Sequence, residues 1–590
     1  MILDILLQVV VGGLLGHAVD AGYEGRLATY INSPESYAIK LFSPEKVQEG
    51  KGGWQGEHAG KWLYTASRAY ERTGDPDLLG RLTSVADYLL SVQQEDGYLG
   101  CYREDKRFYH RPAPEAMTVD WDTWIIAYLI KGLTETTVAT GDDKYADAAL
   151  RLTKFLHKSV FENGILIAET GQHCGMAGTG MLDPLCDLYA LRPEKEVREL
   201  IDECIAEMDG MPNLQLITLL NKGYDCALIG NGKIYEMTRC MTGLAKAYQL
   251  FGDKRLLDAC NNYWDRVTES HLTPLGGPWG GIVVCMEIYN RAAEWAPYET
   301  TETCSVMEWM HFNWEMLRIT GDGKFASELE KTTYNALMAA RAEDGNRWIY
   351  YVRTNGGLDP KGDWACCWSS GMNALEDIPV YMYEQRKDGI YVNIIEESSF
   401  TAEFKGRRVS VEQTSPYARN GKAEFILGGG DEGTTLGSFA VAVHRPGWAT
   451  AYSVKVNGKE VKAKEKNGYL TVKRSWKAGD RLSFEFPYTL RRIEKDWTYS
   501  NGGSKQWHFA NWYNGFTRHY VSFSAGPLVY GCRHNDGITN QNHLCVTRPE
   551  LEAASLENGK IEIAGTTLLP MCDLHPFEGE QVRTVWLQIK

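Results

Sequence analysis

Three cysteines and a glutamate stand where chemistry could be done. Glu302-Thr303-Cys304 is followed, 62 residues after Cys304, by Cys366-Cys367. Three thiols and a carboxylate from two stretches of chain form a donor set for zinc, which takes four ligands tetrahedrally and holds thiols as thiolates at neutral pH. A metal-held thiolate can also act as a nucleophile. The spacing is not the C-x-x-C of zinc ribbons, so a disulfide or plain core packing stands beside the metal reading. A bridge between adjacent cysteines strains the backbone, which makes Cys366–Cys367 the weakest of these alternatives. Cys101, Cys186, Cys204, Cys226, Cys240 and Cys260 lie among apolar or helical neighbours and are expected to be small buried hydrophobes.

These residues must be positioned by a scaffold of 590 residues, 44% hydrophobic and 24% charged. That length exceeds one core and predicts several domains of an ordinary soluble protein. The formal charge of −15 is spread along the chain; nucleic acid and anionic membrane both need a basic face, so neither is expected as a partner. Eighteen Trp and 32 Tyr provide flat aromatic faces of the kind that suit sugar rings. The start, Met1 to Leu7, is apolar but lacks a basic segment and carries Asp4, so it reads as a helix start rather than a signal peptide. No run of about 18 apolar residues suggests a membrane span. Fourteen cysteines without a compact disulfide spacing fit a reducing cytoplasm.

The scaffold has two halves with different periods. As far as about residue 385, helical periodicity is punctuated by Gly74-Asp75, Gly141-Asp142, Gly252-Asp253 and Gly321-Asp322. Glycine closes a helix in the left-handed conformation and aspartate caps the next, so each pair marks a helical hairpin. Tyr189 to Pro193 occupies the place of a further copy without the Gly-Asp. The recurrence, at about 50 to 70 residues, marks stacked hairpins and predicts an α/α toroid with loops at one end building a site. Candidate loops are Gly52 to His58, Gln94 to Gly100 and Gly276 to Gly281, which join glycine to aromatic and acidic residues. Beyond about residue 388 the period becomes two, in Ile390–Ile394, Phe439–Val443, Ser453–Val456 and Arg481–Phe486, with turns at Asn457-Gly458, Asn467-Gly468 and Ala478 to Asp480. The predicted division is a helical domain over 1–387, a β-sandwich over 388–498 and a second β-rich segment over 499–590. An exposed sandwich edge would favour a homodimer.

Glu302-Thr303-Cys304, Cys366-Cys367, the Gly-Asp hairpins and the sandwich motifs Arg445 to Trp448, Val456-Asn457-Gly458 and Gly526-Pro527-Leu528 together resemble glycoside hydrolase families 127 and 146 over most of the chain. The resemblance implies a multidomain α+β architecture, an (α/α)6 barrel followed by β-sandwich domains. It also implies a retaining, exo-acting glycosidase of the β-L-arabinofuranosidase type that acts on a plant-derived carbohydrate. Carried over, Glu302, Cys304, Cys366 and Cys367 become zinc ligands and Cys366 the nucleophile. The family's acid/base glutamate lies shortly before the ligand glutamate, after a Gly-rich loop. Glu287, 15 residues before Glu302, takes that place, with Glu294 and Glu299 as rivals.

The chain departs from the family where helices present histidines to sugar hydroxyls; it offers Tyr128, Gly178 and Glu236 instead. Glu57, His58, Tyr128 and Glu236 are accordingly the expected sugar contacts, and His173 is a further imidazole. Two other classes compete. One is an α/α-toroid glycosidase or unsaturated-uronyl hydrolase working through Glu57, Asp120 or Asp122 with structural zinc; the other is a non-catalytic carbohydrate-binding protein. The sugar, linkage and aglycone stay open at this level, an acidic or deoxy sugar of pectin standing beside arabinofuranose.

Overall fold

A computed structural model describes residues 9–49, 53–108, 121–281, 287–290, 295–359, 361–404, 406–498, 517–534, 544–577 and 582–590. Its helical half is built from α1 (Gly13–Gly22), α2 (Glu57–Thr73), α3 (Pro76–Ser91), α4 (Asp122–Thr140), α5 (Asp143–Phe161), α6 (Leu182–Leu191), α7 (Lys195–Gly210), α8 (Ile234–Phe251), α9 (Lys254–Ser270), α10 (Thr303–Thr320), α11 (Gly323–Thr332) and α12 (Cys366–Glu376). The even-numbered helices pack in sequence, each on the next, and α12 returns to α2, closing a ring of six. Each odd-numbered helix lies outside the ring against an inner one, α1 serving α12. The burial patterns agree. Inner α4 is buried on every side from Asp122 to Thr137, whereas outer α9 buries only the stripe Leu256, Ala259, Cys260, Tyr263 and Val267.

The Gly-Asp pairs form the turns expected of them. Gly74, Gly141, Gly252 and Gly321 close inner helices with φ of 64, 71, 74 and 63°. Asp75, Asp142, Asp253 and Asp322 then accept the backbone N–H two residues on, at the head of an outer helix. The α6–α7 junction has no such pair, and the side chain of its cap residue, Glu194, does not cap the helix. Two other glycines set how closely the ring packs. A Cβ at Gly60 of α2 would lie 2.1 Å from the Tyr128 carbonyl oxygen of α4, and one at Gly132 of α4 would lie 2.6 Å from the Gly60 oxygen.

The sheet half begins earlier than the change of period suggests. Tyr383–Arg386 already pairs with Gly389–Val392, within a five-stranded sheet that also holds Thr435–His444, Tyr469–Lys477 and Lys464–Lys466. The partner sheet has seven strands, and one of them comes from the start of the chain. Strand β1 (Val9–Val11) pairs antiparallel with Ser398–Phe404. The helix start expected at Met1 to Leu7 lies outside the described residues. A ten-stranded sheet completes the molecule. Leu490–Thr498 pairs along its whole length with Thr517–Ala525 of this last sheet, so the division drawn at residue 498 falls after a strand that belongs to the C-terminal sheet. This sheet also reaches the barrel, since Val582–Thr584 pairs with Asn355–Gly357.

Candidate active site

Inner helices α2, α4, α8, α10 and α12 bring the chemistry-bearing residues together at their N-terminal ends. Helix N-termini carry partial positive charge and favour anionic side chains. Glu302 ends strand β2 (Thr300–Glu302) and is the N-cap of α10, which puts Cys304 in the first turn. Cys366 and Cys367 open α12. Strand β3 (Tyr351–Arg353) pairs with β2, aligning Glu302 with Tyr351.

The four donors meet. Cys304 Sγ lies 3.4 Å from Cys367 Sγ, and Cys366 Sγ lies 3.9 Å from Cys367 Sγ. Glu302 Oε1 lies 3.8 Å from both Cys366 and Cys367 sulfurs, and all four donor atoms fall within 4.8 Å of one another. Tetrahedral zinc–sulfur bonds of about 2.3 Å require sulfurs about 3.8 Å apart, so the set fits zinc. The sulfur separations also far exceed a disulfide bond, and Cys304, Cys366 and Cys367 are free thiols. Cys304 and Cys367 are buried, whereas Cys366 is half-buried.

Charge is divided unevenly among these groups. Hydrogen bonds from Cys304 and Cys367 hold the Cys366 thiol well below its ordinary pKa against the cost of burial, helped by the Lys61 ammonium and Tyr350. Burial pushes the Cys304 and Cys367 thiols up. It does the same to the Glu302 carboxyl, against the pull of Lys233. For Glu287, burial raises the pKa but Lys233 and the Tyr351 hydroxyl outweigh it, leaving the carboxyl below its ordinary value.

Glu287 is joined to the cluster through Lys233, whose Nζ lies 3.2 Å from Glu287, 3.0 Å from Glu236 and 3.0 Å from Glu302. Tyr351 donates its hydroxyl to the other Glu287 oxygen. On the adjoining wall, Lys61 Nζ donates to Glu57 Oε1 and Ser370 Oγ, each at 3.0 Å. Trp124 donates its indole N–H to Glu57, and the Tyr128 hydroxyl bonds that of Tyr235. The guanidinium of Arg239 covers the Tyr128 ring at 3.9 Å. Of the expected sugar contacts, Glu57, Tyr128 and Glu236 thus belong to the walls of this centre.

His58 does not. Its Nε2 donates to the Trp364 carbonyl at 3.0 Å, its Nδ1 accepts from Ser369 Oγ at 2.8 Å, and burial first, then Lys61, brings its pKa down to about 3. Both nitrogens of a neutral ring are spent on the segment that carries Cys366, so the ring buttresses that turn instead of meeting sugar. His173, at φ 58°, lies 3.7 Å from Glu236 and accepts from Asn231 at 3.1 Å. Gly178 brings no side chain, and a Cβ there would lie 2.3 Å from the Ile167 oxygen. Glu299 accepts both the Trp295 and Trp586 indole N–H groups on the side facing the last sheet, which removes it as a rival to Glu287. Asp122 is buried and accepts the Tyr98 hydroxyl at 2.9 Å. Glu294 and Asp120 lie outside the described residues.

Sequence reasoning missed Lys61, Lys233, Tyr350, Tyr351, Trp124, Tyr235 and Arg239. Two had a signal. Lys61 stands four residues after Glu57 and Lys233 three before Glu236, the spacings at which charges pair on a helix. A second group, Asp225, Cys226 and His271, also gathers possible metal donors; there His271 Nε2 pairs with Asp225 at 2.9 Å, which ties a loop to the end of α9. No helix among the described residues is long and apolar enough to cross a membrane.

Comparison with known proteins gives a consistent result. The family model of the β-L-arabinofuranosidase GH127 catalytic domain matches residues 26–379, and that of the GH127 middle domain matches residues 389–488. A non-reducing end β-L-arabinofuranosidase of Bifidobacterium longum subsp. longum is 24% identical over 467 residues, covering 72% of this chain and 68% of its own. The fold is shared with a GH127 β-L-arabinofuranosidase from Geobacillus stearothermophilus T6, with a TM-score of 0.77 at 20% identity over 99% of this chain and 100% of the other. A GH127 β-arabinofuranosidase shares it too, with a TM-score of 0.75 at 20% identity over 99% and 97%.

Proposed function

The chain belongs to the GH127 β-L-arabinofuranosidase family of glycoside hydrolases, and on that premise we propose that it is a retaining exo-glycosidase removing a terminal neutral sugar, β-L-arabinofuranose, with Cys366 as nucleophile and Glu287 as acid/base. The observation that carries this reading is the contrast within the thiol cluster. Cys366 alone of the three is half-buried rather than buried, with the Tyr350 hydroxyl 3.7 Å from its sulfur. Bound by Glu302, Cys304, Cys366 and Cys367, zinc would supply the charge that keeps these thiols deprotonated and in place.

In the first step Cys366 Sγ bonds to the anomeric carbon, the glycosidic C–O bond breaks, and Glu287 gives its proton to the departing oxygen. In the second, Glu287 takes a proton from water, whose oxygen bonds to the anomeric carbon as the C–S bond breaks and Cys366 leaves as thiolate. Two inversions retain configuration, as in carboxylate glycosidases. Glu287 ends the cycle protonated, ready to donate again.

The charge balance of the walls favours a neutral sugar over an acidic one. Lys61 and Lys233 are both spent on protein carboxylates, Glu57 for the first and Glu236, Glu287 and Glu302 for the second. A uronic acid would bring another carboxylate beside ammonium groups already paired. Hydrolysis of a panel of nitrophenyl glycosides, with zinc content measured alongside, tests the reading. Release from β-L-arabinofuranoside by the zinc-loaded protein is expected, and release only from uronides would overturn it.

A further inference from the structure

The strongest geometry in the centre belongs to a residue with no assigned role. Lys233 is buried, and an ammonium has three N–H donors. Three carboxylates stand around it, Glu236 at 3.0 Å, Glu287 at 3.2 Å and Glu302 at 3.0 Å. The ammonium hydrogen-bonds Glu302 and forms ion pairs with Glu236 and Glu287, so its charge is engaged by protein carboxylates. The backbones beside it are tied as well. Lys233 forms a β-bridge with Ile288, Ile234 N donates to Glu287 O at 3.0 Å, and Tyr289 N donates to Gly232 O at 2.9 Å.

We infer that Lys233 is a positioning residue that locks the acid/base Glu287 to the metal-ligand carboxylate Glu302, fixing where the proton donor stands relative to the nucleophilic sulfur. This rests on the proposed roles of Glu287 and Cys366. Each locked carboxylate is left with one oxygen for other work. Glu302 holds Oε2 on Lys233 and turns Oε1 to the Cys366 and Cys367 sulfurs. Glu287 holds Oε2 on Lys233 and accepts from Tyr351 on Oε1. Without the cation, three carboxylates would share a water-poor space and repel one another, and Tyr351, aligned with Glu302 and bonded to Glu287, would be left to hold the two in register against that repulsion.

The test compares wild-type, Lys233→Met and Lys233→Arg holoenzymes, with Lys233→Gln as the companion if the Met side chain prevents folding. Loss of a residue that orients metal ligands costs about 10- to 100-fold in metal affinity or activity, and misplacement by about 1 Å can cost about 100-fold in rate. The Met and Gln variants are therefore expected to lose about 100-fold in kcat with KM within about threefold, and to yield zinc to a chelator about tenfold more readily. Arg restores the charge without the compact three-way geometry, so it should recover zinc retention more than kcat. A lysine serving stability alone would lower the melting temperature but leave kcat per zinc-bound molecule unchanged, and that result, with wild-type zinc retention, would overturn the inference. If the wild type releases no sugar at all, the parent reading fails while zinc retention in the variants still judges the Lys233–Glu302 half of the lock.

Discussion

Cys366 differs from its two neighbouring thiols in a way that a single substitution can expose. Cys366→Ser keeps the size and a weak donor but removes the thiolate, and turnover should vanish with the fold retained, as circular dichroism and melting temperature will show. Glu287→Gln should cost about 10²- to 10⁴-fold, the usual share of general acid catalysis. Substrates with a good leaving group should recover much of the first step. The pH dependence has a definite sign. Glu287 must be protonated to act as acid, and Lys233 and Tyr351 hold it below its ordinary value against burial. Thus kcat/KM on a poor leaving group should decline as pH rises from the acidic side, and the decline should flatten for nitrophenol; a profile rising through this range would remove Glu287 as the acid. The clustering of Glu302, Cys304, Cys366 and Cys367 was legible in the sequence because cysteine is rare and four donors in two clusters are conspicuous. The two lysines were not, because lysine on a helix is ordinarily solvated, and only the tertiary fold shows Lys61 and Lys233 buried among carboxylates. His58 misled for the converse reason, since nothing local reveals that the Trp364 carbonyl and Ser369 hydroxyl take both its nitrogens.

At the scale of elements, the Gly-Asp turns and the ring contacts predict different failures. Gly141→Ala places a side chain at φ 71° with open space around it, so its cost should be the backbone term alone, about 1 kcal/mol. Asp142→Ala loses the cap on Lys144 N at 3.1 Å and should also cost about 1 kcal/mol. Both residues lie in the one turn that closes α4, at the end of the ring opposite the helix N-termini that carry the site, so specific activity should persist in each variant. Gly60→Ala is different, because its Cβ would meet the Tyr128 carbonyl at 2.1 Å. It must part the helices that carry Glu57 and Tyr128, and both melting temperature and activity should fall. The four hairpins were legible because a left-handed glycine followed by a capping aspartate is a local signal. The pairing of Val9–Val11 with Ser398–Phe404 was not, since it joins residues nearly 400 apart and no local pattern encodes it.

Across the whole molecule, the barrel meets the last sheet at Glu299, which accepts the indole N–H groups of Trp295 and Trp586. Burial pushes its pKa up to about 7. A carboxyl whose folded pKa exceeds its unfolded one stabilises the fold fully below the unfolded value and loses that contribution as pH rises through the folded one. Stability should therefore fall between about pH 4.5 and 7 by up to about 3 kcal/mol from this group, and Glu299→Gln should flatten that slope in melting experiments. Zinc bound by Glu302, Cys304, Cys366 and Cys367 would tie α10 to its neighbour α12, so chelation should lower the melting temperature and added zinc restore it.

The proposed mechanism turns on a covalent bond between sugar and sulfur. Glu287→Gln, in which water attack is slowed, should be mixed with an activated β-L-arabinofuranoside, quenched rapidly in acid and digested for peptide mass analysis. One pentosyl group is expected on the peptide that carries Cys366, and none in Cys366→Ala. The same label on a carboxylate such as Glu57, or full turnover by Cys366→Ala, would contradict the thiolate mechanism.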